Sequence, residues 1–157
     1  MELKELIPAF AAKLGIEGLE VKDGACSLEI DGIPMEIVEL LDGKALVVTA
    51  IIGPPPLEKT EAFLELLLEA NAESHGLQAM AFGKLHDSSD LILQWRILTQ
   101  NLALDAFCTE LEAFIDKVEQ WRQALEDFRP AAEEAVIQEE DAPIPIMGLS
   151  NNGFISV

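Results

Sequence analysis

The sequence predicts an α+β domain, ordered α-βββ-α-ββ-α, with helices packed on a twisted antiparallel sheet. Three observations carry this expectation. Two Asp-Gly pairs, Asp31-Gly32 and Asp42-Gly43, punctuate a run of alternating apolar and polar residues, a strong hairpin signal. Apolar residues at helical spacing precede that run and follow it. A last stretch, from about Leu102 to Arg129, steps through Leu104, Phe107, Leu111, Phe114, Val118, Trp121, Leu125 and Phe128 in an unbroken three-four rhythm.

Each element follows from its pattern. Leu3, Leu6, Ile7, Phe10 and Leu14 share one helical face, and Gly15 is placed to stop the helix. Cys26–Asp31 alternates, with Cys26, Leu28 and Ile30 on one side; Ile33, Met35 and Ile37 repeat the pattern after the first turn. Leu46–Ile52 completes three antiparallel strands, closed by Gly53 and three prolines. Leu57–Gly76 reads as a helix with two apolar stripes: Phe63, Leu66, Leu67 and Ala70 form one, Leu64 and Leu68 the other. Ala79–Leu85 and Leu91–Leu98 are strands around the polar turn 86–90, and in the second Leu91, Leu93, Trp95 and Ile97 face one way. The large aromatics of the last helix suit packing across a sheet better than a coiled-coil seam. Residues 1–130 therefore form one domain, and 131–157 read as a tail, acidic at first and apolar at Ile144–Met147 and Phe154–Val157.

The chain of 157 residues is half hydrophobic, yet its formal net charge is −19. That pairing describes a folded body with an acidic surface, since disordered chains combine charge with low hydrophobicity. Ten basic residues against 29 acidic ones cannot build a phosphate-neutralising patch, which argues against nucleic acid and anionic membranes. No secretory leader and no apolar run long enough to span a bilayer are evident, so a cytoplasmic location is expected. Cys26 and Cys108 read as small core hydrophobes of a reducing compartment.

Reacting groups are scarce. His75 falls at the end of the second helix, and His86 lies in a turn beside Asp87. A His-Asp pair can orient a general base, but no nucleophile has a recognisable setting, and Ser88 and Ser89 are turn residues. Neither metal-ligand spacing nor a phosphate loop is present, so no catalytic, cofactor or metal residues are expected. What remains is surplus apolar surface: the second stripe of the second helix, the reverse of the fifth strand, and the tail.

The order of elements resembles the small acidic secretion chaperones of bacterial type III systems, the CesT (Tir chaperone) family. The resemblance runs from Leu3 to Phe128. It rests on the opening helix ending in Leu14-Gly15, the strand GACSLEID from Gly24 to Asp31, the LLLEAN of Leu66–Asn71, AFGKL of Ala81–Leu85, and LIL before the long helix with Phe114 and Trp121. It implies a homodimer without enzymatic activity that binds the N-terminal segment of a secreted effector in extended, non-globular form and keeps it competent for export.

On that basis Leu3, Leu6, Ile7 and Phe10, with Ile33, Met35 and Ile37, are the candidate client groove, ordinary core being the alternative. Leu64 and Leu68, with Ile92, Gln94 and Arg96 on the reverse of the fifth strand, are the candidate dimer contact. The apolar tail segments are candidates to lie in the groove while it is empty. The competing readings are an adaptor or regulator on the same fold, and a small dimeric hydrolase using His86 and Asp87.

Overall fold

Asp31 and Gly32 adopt φ of 51° and 72°, the left-handed pair that a two-residue turn between twisted strands requires. They join β1 (Ala25–Ile30) to β2 (Ile33–Leu40) with Ile30 opposite Ile33. A computed structural model describes residues 1–73 and 80–128. Around that hairpin it places α1 (Leu3–Leu14), β3 (Ala45–Gly53), α2 (Thr60–Glu73), β4 (Met80–Lys84), β5 (Leu91–Leu98) and α3 (Leu104–Phe128). His75, Arg129, Pro130 and the tail 131–157 lie outside the described residues, and with them the expected role of the tail.

The five strands form one antiparallel sheet in the order β1-β2-β3-β5-β4. The three-strand meander and the β4–β5 hairpin are therefore joined through β3 and β5, where Val48 stands opposite Trp95. The edges are β1 and β4.

The period-two alternation sends one side of each strand inward. Cys26, Ile37, Val48, Trp95 and Met80 share the covered face and are all buried. The opposite face carries Ser27, Glu36, Thr49 and Gln94, with Thr49 accepting a hydrogen bond from the Gln94 amide at 3.2 Å.

The aromatic stripe of α3 lies across the covered face, as its spacing predicts. Trp95 stacks on Phe107, ring centroids 6.1 Å apart, and meets Phe114 at 5.9 Å. Phe10 of α1 packs edge-on against Phe107 at 5.7 Å. Each such pair adds about 0.5–1.5 kcal/mol to what burial alone contributes. A second cluster joins α2, α3 and β4: Phe63 meets Phe128 at 5.0 Å, and Trp121 meets Phe82 at 4.6 Å. Arg122 ties α3 to strand ends, donating to the carbonyls of Ile52 and Gly32.

Local chemistry marks α1 at two places. Gly15, at φ 68°, caps α1 in the left-handed conformation and donates to the Ala11 carbonyl. Pro8 sits inside α1 rather than in its first turn, on the exposed side, so the N–H it lacks is missing where water can reach.

Candidate functional site: an open strand edge beside an apolar groove

The turn before β1 fixes which way its backbone faces. Asp23 and Gly24, at φ 51° and 75°, fold Lys22 back onto Ala25. Lys22 N–H donates to the Ala25 carbonyl at 2.8 Å, and Ala25 N–H to the Lys22 carbonyl at 2.9 Å. Both polar groups of Ala25 thus point away from β2. Alternation then sends those of Ser27 and Glu29 the same way, because successive strand residues face opposite neighbours. Among the described residues no strand lies beyond them. This edge is open.

The β4 edge is different. The Asn71 side chain of α2 accepts from Phe82 N–H at 2.7 Å and donates to the Phe82 carbonyl at 3.1 Å. At Phe82, one amide supplies both bonds that a neighbouring strand would have made there. With Phe63 and Leu67 buried, α2 is fixed beside this edge.

Beside the open edge lies a cavity of about 250 Å³ between the end of α1, the end of β1 and the first half of α3. Phe10, Leu14, Ile30, Cys108, Leu111 and Ile115 form its apolar lining, and Asp31, Glu112 and Asp116 its polar rim. Leu14 is 51% exposed. Leu28 and Ile30, on the covered face of β1, are half-buried, so a strand laid along β1 would extend the apolar surface they begin. The cavity is smaller than the roughly 300–1,000 Å³ of small-ligand pockets, and suits side-chain anchors of a longer chain.

The residues expected to line the groove take the core alternative. Leu3, Leu6, Ile7, Ile33, Met35 and Ile37 are buried at 4% exposure or less, and of the seven only Phe10 reaches the cavity wall. The physical reason is that both faces of the argument were apolar: a stripe at helical spacing serves a core and a groove equally well. Sequence reading missed Leu14, Ile30, Leu111 and Ile115, although Leu14 lay on a named stripe and its place beyond Phe10, next to the Gly15 cap, was a usable signal.

The expected dimer contacts divide. Leu68 is 67% exposed, whereas Leu64 is half-buried against the core, so only part of the second stripe of α2 faces outward. Gln94 and Arg96 are exposed on the uncovered sheet face, and Leu98 beside them is also exposed. Ile92 is not available: it is buried, packed close to Gly83.

His86 and Asp87 sit exposed in the β4–β5 turn, outside the cavity beside β1. Among the described residues no group of three or more His, Cys, Asp and Glu is placed to hold a metal ion. There too, no helix is long and apolar enough to cross a membrane. Cys26 and Cys108 are buried and unpaired, and burial pushes the Cys26 thiol up from its ordinary pKa. The Lys13–Asp105 ion pair, 2.6 Å long, raises the lysine pKa and lowers that of the carboxyl through their shared hydrogen bond.

No curated protein matches the sequence. A chain of the ExsC–ExsE complex superposes with a TM-score of 0.67 at 23% identity, covering 80% of this chain and 97% of that one. A chain of the HopA1–SchA chaperone–effector complex gives 0.62 at 18% identity, covering 76% and 92%. A chain of the heterodimeric ExoU–SpcU complex from the type III secretion system of Pseudomonas aeruginosa gives 0.59 at 16%, covering 77% and 98%. At these identities the structures establish a shared α+β fold. The Tir chaperone protein (CesT) family matches residues 5–122, and with three quarters of the sequence inside that match the chain belongs to the CesT family of type III secretion chaperones.

Proposed function

We propose that the protein is a homodimeric cytoplasmic chaperone without enzymatic activity, which holds the N-terminal segment of a secreted effector in extended form, ready for type III export. The observation that carries this reading is the strand edge at Ser27 and Glu29, which no strand among the described residues pairs, beside the apolar groove. An extended segment added there gains main-chain hydrogen bonds from β1, and its alternate side chains enter the space between Leu14, Ile30, Leu111 and Ile115. Ordering such a segment costs about 2–5 kcal/mol, so several contacts along the groove are required together. The chaperone–effector neighbours support the same class of partner.

The outward stripe of α2 supplies the second contact. Leu68, with Leu64 beside it, meets its counterpart across a two-fold axis, and Gln94 and Arg96 lie on a separate exposed surface. Burying a leucine fully contributes about 1.5–3 kcal/mol, so a few per protomer sustain a dimer against the cost of association.

A photo-reactive residue at Glu29 tests the client site in the host that expresses the effector. Cross-links to the N-terminal segment of one secreted protein are expected. Cross-links to a folded domain instead would favour an adaptor, and would refute the reading. Replacing Leu64 and Leu68 by glutamate is expected to give monomers in sedimentation, and an unchanged dimer would remove α2 from the interface.

A further inference from the structure

We infer that the groove beside β1 selects extended apolar segments flanked by lysine or arginine, and discriminates against acidic flanks. This rests on the client-binding reading above and adds a rule about which segments are taken. The floor of the groove is apolar, but three carboxylates stand on its rim: Asp31 at the end of β1, and Glu112 and Asp116 on α3. All three are exposed. Glu112 and Asp116 are four residues apart, neighbours on one helix face about 5–6 Å from each other. Glu29, on the open strand itself, adds a fourth exposed carboxylate along the same edge, on the uncovered face of the sheet.

None of these four is engaged in an ion pair among the described residues, whereas Asp105, further back on α3, is held by Lys13. A lysine or arginine at either end of a bound segment can lay its aliphatic stem along Leu14 or Ile115 and bring its charged head to the rim. An acidic flank would add like charge to a surface that already repels it. The overall charge of −19 acts in the same direction at longer range, speeding encounter with basic segments. It also disfavours a second copy of this acidic chain as the groove's occupant.

Two fluorescent synthetic peptides test the rule against the full-length protein by anisotropy. They share one alternating apolar core; one carries lysine pairs at both ends, the other glutamate pairs. The lysine peptide is expected to bind roughly tenfold tighter at low ionic strength, the sum of two or three exposed ion pairs. The gap should narrow as salt rises. Asp31→Asn, Glu112→Gln and Asp116→Asn together should remove most of it, and Ser27→Pro should weaken both peptides alike. Equal affinity for the two peptides would overturn the charge rule and leave the groove standing. A gap that survives in the triple variant would overturn it as well. Binding of neither peptide would overturn the rule and the groove together.

Discussion

The two edges of the sheet have opposite fates. At β4, one asparagine amide occupies the outward N–H and C=O of Phe82, and the Phe63–Trp121–Phe128 cluster holds α2 in place beside it. At β1, the Lys22 turn occupies only Ala25, and among the described residues no strand lies beside the next two outward-facing residues, Ser27 and Glu29. Exposed edges invite unwanted pairing, and folded proteins usually blunt them. Under the proposed function, the edge that no side chain blunts, beside an apolar groove, is the one that takes the client.

Blocking the open edge is expected to have the largest effect. Ser27→Pro removes an N–H that points away from β2, so the sheet keeps its own hydrogen bonds and the client loses one. Client affinity should fall by about a hundredfold, close to 2.7 kcal/mol, with the far-ultraviolet circular dichroism unchanged. Unchanged affinity would mean that β1 is not the docking strand.

Opening the closed edge comes next. Asn71→Leu leaves the Phe82 N–H and carbonyl without their side-chain partner, at a cost of about 1–3 kcal/mol in urea unfolding. Faster self-association of the variant would confirm that Asn71 protects the edge as well as stabilising it.

A smaller effect is expected at the groove wall. Leu14→Asp places a charge on a side chain that is half exposed already, so stability should change little, while client affinity drops about tenfold.

The smallest effect sharpens the contrast from the surface side. The Lys13–Asp105 pair is exposed, and its contribution should be too small to resolve. The carboxyl's lowered pKa means that whatever stability it adds is present above the ordinary carboxylate range and is lost as pH falls through the lowered value. The lysine's raised pKa gives the opposite sign, lost only as pH rises past it. Lys13→Ala should therefore unfold at the same urea concentration as the unaltered protein at neutral pH.

How much of this was legible in the sequence depends on the range of the interaction. Local chemistry was readable: the Asp31-Gly32 turn, the Gly15 cap, the alternation of Leu91–Leu98, and the aromatic rhythm of α3 all appear where the pattern put them. Strand order was not. That β1 and β4 are the edges depends on β3 pairing with β5, which buries Val48 against Trp95, a contact no local pattern encodes. Without the edges, Asn71 was only part of a family pattern, and Ser27 and Glu29 were only the polar half of an alternation. The groove suffered for a related reason. Apolar side chains on the stripes of α1 and β2 were equally suited to core and surface, and the core took all of them but Leu14.

Backbone amide hydrogen exchange with and without the bound effector segment separates the two edges. Ser27 and Glu29 are expected to exchange quickly in the free protein and to become protected in the complex, while Phe82 is protected in both. Ser27 and Glu29 that exchange equally fast in the complex, or new protection centred on the β4 edge, would contradict that expectation.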